Sequence, residues 1–311
     1  MSARTSEQRR AMSKALTRAA NASVADVLLT AQGSAGLCSR IGVTGPPGAG
    51  KSSLIAELAR RRLQKEGDIA ILAIDPTSPI SGGAILGDRI RMEDLAQNPR
   101  VYIRSLASRR SHDGLADNLP DMLEIVERAG FVEAILETVG VGQVEYAVRH
   151  VVDTILLVLM PGAGDQIQAM KGGILETADI VVVNKSDQPG ARRLAAELAA
   201  VVKKRGEDDA GWTPPIVPTS LNDSASIEAL AAEIDRHQAW LANRPGAAGC
   251  LESRRAQHVG SLVARRVSEV LEELPAEVLR APLASLYEAV VRRLAEHNDG
   301  AAEVNRRRRR S

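Results

Sequence analysis

The sequence predicts an α/β fold: a mainly parallel central sheet flanked by helices, with an N-terminal helical extension before it and a C-terminal helical hairpin arm after it. Three observations carry this. Between residues 40 and 218, seven continuous apolar runs of strand length alternate with helical segments, as expected of strands buried on both faces of a parallel sheet. A glycine-rich loop separates the first such run from the first of those helices. Past residue 246 the strand-like runs stop, and two apolar stripes at helical spacing follow on either side of Pro275.

In chain order, residues 5 to 32 read as one polar-to-amphipathic helix, with Leu16, Ala20, Val24, Val27 and Leu28 on one face and a glycine-bounded break at 33–36. Residues 1–36 thus form the helical extension. The α/β domain spans 37–245, with strands expected at 41–44, 69–74, 101–104, 131–137, 154–160, 180–184 and 215–218. Helices are expected at 51–66, 87–97, 114–129, 191–204 and 225–242. The arm, 246–298, carries one stripe from Val259 to Leu274 and a second from Leu279 to Leu294. Those stripes serve either packing on the chain's own domain or a dimer interface. Residues 299–311 are a basic tail whose Arg306–Arg310 run is expected to be disordered and solvated.

Composition narrows the function. Forty basic residues oppose 39 acidic ones, so no global field points to nucleic acid or an anionic membrane. Without the five terminal arginines, 35 basic residues face 39 acidic ones, a mildly acidic body with a basic tail. One Phe, three Tyr and two Trp are too few for base-stacking platforms. Two cysteines, Cys38 and Cys250, cannot build a disulfide framework or a cysteine metal cage. The opening residues show no secretory pattern and no run is long enough for a spanning helix, so a cytoplasmic protein is expected. The five histidines show no metal-ligand spacing and read as surface or packing residues.

Gly45, Pro46, Pro47, Gly48, Ala49, Gly50, Lys51 and Ser52 fit the pattern G-x-x-x-x-G-K-S/T, directly after a strand and directly before a helix. That context separates a phosphate-binding loop from a chance match in a structural loop. Glycines let backbone N–H groups converge on phosphate oxygens, and the helix N-terminus adds partial positive charge. Lys51 is expected at the β- and γ-phosphates and Ser52 at Mg²⁺, with Ser53 lining the same turn.

Asn184, Lys185, Ser186 and Asp187 close the sixth apolar run, at the sheet edge where α/β ligands sit. In this N-K-x-D sequence the Asp187 carboxylate accepts from guanine N1–H and its exocyclic amino group. Lys185 lays its stem along the base, and Asn184 ties the loop together. Thr219, Ser220 and Leu221 follow the last run and resemble a guanine-contacting loop, adding Ser220 and Leu221 to the nucleotide site. GTP and GDP are the implied nucleotides.

Glu137 ends the fourth run, and Gly140 follows it. Glu137 is expected at the metal, and the Gly140 N–H at the γ-phosphate. Val141 occupies the position where a glutamine would orient the attacking water, which argues for slow unaided hydrolysis; the role of nearby Gln143 stays open. Asp75 and Asp88 are candidate further metal carboxylates, with helix capping as the alternative reading of both. Lys51, Glu137 and Asp88 are the candidate catalytic residues; Ser52, Asp75, Asp88 and Glu137 are the candidate metal set.

Together these blocks, with residues 82–92, the Glu137–Glu145 segment and the Pro161–Lys171 segment, resemble the MeaB/ArgK group of P-loop GTPases from about residue 10 to 295. The resemblance implies a GTPase chaperone of an adenosylcobalamin-dependent acyl-CoA mutase, which gates cofactor loading and removal of inactive cofactor. It also implies a homodimer through the arm, metal roles for Ser52, Asp88 and Glu137, and a switch at 161–171 that relays nucleotide state to the mutase. Leu221 stands where the family usually has Ala or Gly. Two other readings remain: a kinase associated with amino-acid transport, which fits poorly with a chain lacking an export signal, and a metal-insertion GTPase, for which no His- or Cys-rich metal store is present.

Overall fold

The computed structural model describes residues 5–30, 38–76, 92–108, 118–138, 148–162, 174–206, 211–244 and 247–308. The extension is two helices, not one: α1 (Ser6–Ala19) and α2 (Val24–Thr30). Thr5 and Gln8 start α1 by exchanging side-chain-to-backbone hydrogen bonds of 2.9 and 3.2 Å, a capping box. The break follows from Ser23, whose Oγ donates to Asp26 Oδ2 (2.7 Å) and accepts from Asp26 N (3.2 Å), opening a new helix. Apolar periodicity runs through such a break unchanged, so spacing alone reads a single helix.

Seven strands form one sheet: β1 (Ser39–Thr44), β2 (Ile69–Pro76), β3 (Val101–Ser108), β4 (Glu133–Thr138), β5 (Thr154–Leu159), β6 (Ile180–Asn184) and β7 (Ile216–Thr219). All neighbours pair in parallel, in the order β3-β2-β4-β1-β5-β6-β7. Every strand overlaps a predicted apolar run. The interior strands β4, β5 and β6 are buried throughout, so no hydrophobic–polar alternation marks them.

Helices cover both faces. On one, α3 (Lys51–Arg62) and, after β7, α8 (Ser224–Asn243) bury Leu54, Ile55, Leu58, Ile227, Leu230 and Ile234 against Ile41, Val43, Ile135 and Leu156. On the other, α1 and α5 (Leu119–Arg128, after β3) pack on Leu72, Leu136 and Ile155. The remaining helices are α4 (Glu93–Ala96), α6 (Ile174–Thr177) and α7 (Ala191–Gly206). Arg62 is buried beneath α8 and bonds both Glu133 oxygens through Nε (2.7 and 2.6 Å).

The arm comprises α9 (Ala247–Glu273), α10 (Ala276–Leu279) and α11 (Leu283–Arg308). The chain reverses through α10 between Pro275 and Pro282, and α11 continues to Arg308, into the segment expected to be disordered. α9 seats on the α/β domain largely through charge. Asp121 of α5 accepts from His258 and Arg265, each at 2.6 Å, and Arg254 pairs with Asp153. Val259, Val263, Leu283, Tyr287 and Val291 are exposed, Leu283 by 83%. No helix among the described residues is long and apolar enough to cross a membrane.

Three ring-bearing side chains of this ring-poor protein gather at the amino end of β5. His237 is buried with its Nδ1 2.9 Å from Thr154 Oγ1, a centroid 4.6 Å from Trp212 and another 5.6 Å from Trp240. Burial pushes the His237 pKa down; Asp179 opposes this, while Arg149, Arg236 and Arg244 add to it. The unfolded chain therefore binds a proton more readily than the folded one, so this contribution to stability is present above the ordinary value of 6.5 and lost as pH falls below it. The melting temperature of His237→Gln is expected to fall less between pH 7.5 and 5.5 than that of the unsubstituted protein. Thermal unfolding at the two pH values checks this, and equal losses would refute it.

Candidate nucleotide site

In a parallel sheet all strands end on one side, and here the carboxyl ends of β1, β4, β5, β6 and β7 lie at neighbouring positions. The β1–α3 loop sits at their centre. Gly45 has φ +143°, and a Cβ there would lie 2.0 Å from the Val158 carbonyl oxygen of β5. Gly50 has φ +83° and heads α3 without any side-chain cap; a Cβ there would lie 2.7 Å from Asn184 Nδ2. Both positions need glycine for conformation and for space. An uncapped helix start leaves its first N–H groups directed at an anion. Pro47 and Gly48 face solvent, whereas Pro46 and Ala49 are buried and Ser53 is half-buried.

Lys51 is buried, and its Nζ donates to the carbonyls of Gly45 (2.8 Å) and Pro46 (3.1 Å). Its ammonium is thus held over the loop, where phosphate oxygens can replace two neutral acceptors with charged ones. One residue on, Ser52 Oγ donates to Glu137 Oε1 at 2.7 Å, both side chains buried. Register places Glu137 beside Val43 of β1 and Ala73 of β2, so β4 delivers it to the first turn of α3. A hydroxyl and a carboxylate are hard oxygen donors, the set Mg²⁺ prefers. These two therefore fit that ion. Asp75 lies on β2, one residue beyond the Ile74–Thr138 register pair; its side chain, like all of Asp88 and Gly140, lies outside the described residues.

The carboxyl ends of β6 and β7 are tied to this loop. Asn184 is buried; its Nδ2 donates to Ala49 O (2.7 Å), and its Oδ1 accepts from Thr219 Oγ1 (3.1 Å). One side chain thereby joins the β1–α3 loop, the end of β6 and the end of β7. Lys185, the one positive-φ non-glycine residue among those described (φ 56°), donates from Nζ to Gly48 O at 2.9 Å, which lays its stem along the loop. Asp187 is exposed and its Oδ1 accepts from Ser220 Oγ at 2.6 Å. That hydrogen bond, the first cause of the shift, holds its carboxyl below the usual carboxylate range. Leu221 is 52% exposed, so its side chain does not crowd the loop.

The structure thus brings together Lys51, Ser52 and Glu137 at one end, and Asn184, Lys185, Asp187 and Ser220 at the other. Sequence reading missed two contributors, Met160, whose Sδ lies 3.5 Å from Lys185 Nζ, and Ser226 on α8, and it named Thr219 in the loop without the role of fixing Asn184. That role was within reach, Thr219 being the residue before Ser220. The other two carry no motif. An uncapped helix start, a buried ammonium, a hydroxyl–carboxylate pair and an oriented carboxylate can hold and orient a nucleoside triphosphate.

The family model described as methylmalonyl-CoA mutase-associated GTPase MeaB matches residues 9–278. A protein of Pyrococcus abyssi (strain GE5 / Orsay) with a provisional GTPase name is 37% identical over 259 residues, 82% of this chain and 78% of its own. The methylmalonic aciduria type A homolog, mitochondrial, of Caenorhabditis briggsae is 37% identical over 220 residues, 70% of this chain and 52% of its own. A crystal structure of a LAO/AO transport system kinase superposes with a TM-score of 0.61, covering 90% of this chain and 96% of its own at 21% identity. At that identity the last likeness carries the fold alone.

Proposed function

This chain belongs to the MeaB family of GTPases, and from that premise we propose that it is a GTP-driven chaperone of an adenosylcobalamin-dependent acyl-CoA mutase, gating cofactor loading and removal of inactive cofactor. The observation that carries the mutase assignment is the match to a mutase-associated family across residues 9–278. The site supplies the nucleotide chemistry. Lys51 exchanges its two carbonyl partners for β- and γ-phosphate oxygens and stabilises the charge that develops on them. Backbone N–H groups of residues 48–52 orient the same oxygens, and the Gly140 N–H adds to the γ-phosphate. Asp187 accepts from guanine, with Lys185 against the base and Ser220 and Leu221 closing the pocket.

Ser52 and Glu137 would hold Mg²⁺, with Asp88 and Asp75 as further carboxylates. When bound, the ion neutralises charge on the transferring phosphoryl group. With Val141 where a water-orienting glutamine would stand, unaided turnover is slow, and the mutase completes the arrangement. The exposed apolar residues of α9 and α11 support a homodimer formed through the arm.

GTP turnover measured with and without purified adenosylcobalamin-dependent acyl-CoA mutases, methylmalonyl-CoA mutase first, tests this. The expected result is turnover at least about a hundredfold faster with the client mutase, the lower end of what supplying one missing catalytic group produces. Equal turnover in the presence of every such mutase would remove the chaperone reading and leave the GTPase.

A further inference from the structure

Ser226 lies in the first turn of α8, outside every nucleotide-binding motif. Its hydroxyl oxygen is 3.0 Å from Ser220 N, 2.6 Å from Asp223 O and 3.2 Å from Ser220 O. A hydroxyl has one hydrogen and two lone pairs, so it accepts from Ser220 N while donating to one of the two carbonyls. The turn is closed further by Asp223 N donating to Ser220 O (3.0 Å) and by the Asp223 side chain capping Ala225 N (3.0 Å). The loop and the start of α8 are one hydrogen-bonded unit.

That unit ends at Asp187. Ser220 Oγ accepts from Asn222 N (3.2 Å) and so directs its own hydrogen at Asp187 Oδ1 (2.6 Å). Asp187 is exposed, and an exposed carboxylate samples several rotamers unless something holds it. We infer that Ser226 is a positioning residue for guanine discrimination: it pins the Ser220 backbone, which fixes the hydroxyl that aims the Asp187 carboxylate. Ser226 acts through Ser220. The inference rests on Asp187 reading guanine, as proposed above.

The test compares GTP with ITP, whose base lacks the exocyclic amino group that Asp187 accepts from. Ser226→Ala, Ser226→Thr and Asp187→Asn are assayed with both nucleotides. For S226A the KM for GTP is expected to rise about fivefold, the worth of one hydrogen bond, with the loss falling on KM rather than kcat. The GTP-to-ITP ratio of kcat/KM should shrink by a similar factor, and S226T should restore it. A merely structural role would weaken both nucleotides equally. Unchanged discrimination in S226A, or equal losses for GTP and ITP, overturns the positioning role if D187N abolishes the preference. A preference that survives D187N overturns the guanine reading itself and the positioning role with it.

Discussion

Lys51→Ala is expected to lower kcat/KM for GTP by about 10²–10³-fold, the loss seen when one preorganised donor to a developing charge is removed. The reason lies in where the ammonium sits. It is buried, it donates to neutral carbonyls at 2.8 and 3.1 Å, and it belongs to the first residue of α3. In such a place each contact to a charged phosphate oxygen gains over its aqueous counterpart, because little water competes. Arginine does not substitute, since its planar fork lacks the point charge that fits a narrow loop. Turnover measured with excess Mg²⁺, alongside thermal unfolding without nucleotide, separates chemistry from folding. Full activity in K51A would remove this residue from the catalytic machinery.

The end of this site built on the β1–α3 loop was the more legible. Its residues are contiguous, and the loop, Lys51 and Ser52 follow a strand because a parallel sheet must place its ligands where strands end. The strands were legible for a related reason: β4, β5 and β6 are buried on both faces and so stand out as unbroken apolar runs. The seating of the arm was not. Asp121 meets His258 and Arg265 across 137 and 144 residues of chain, and local spacing cannot encode which distant carboxylate a cation will meet. Reading α9 by its apolar stripe alone identifies helices while missing that charge attaches them. Among the residues of that stripe, Val270 is buried, whereas Val259 and Val263 are exposed. One stripe thus serves two surfaces.

The second large effect concerns nucleotide choice. Asp187→Asn is expected to cut kcat/KM for GTP by about 10²–10⁴-fold and to raise it for XTP, reversing the preference. Guanine offers two donors, N1–H and the amino group, to a carboxylate that can only accept. An asparagine amide aims its own N–H at that amino group, leaving donors facing each other, and such mismatches are where discrimination reaches ~10⁴-fold. Xanthine carries a carbonyl at the same carbon, which the amide can satisfy. The exchange leaves the scaffold intact, since the oxygen of the introduced amide can still accept from Ser220 Oγ and the position is exposed. The same hydrogen bond from Ser220 holds the native carboxyl below the usual carboxylate range. Recognition of GTP by Asp187 should therefore persist as pH falls past the point where an ordinary aspartate gains its proton. Competition between GTP and XTP for D187N, read by steady-state turnover, decides the matter. An unchanged preference would mean that guanine is read elsewhere, and that the chain of hydrogen bonds from Ser226 through Ser220 to Asp187 has only a structural role.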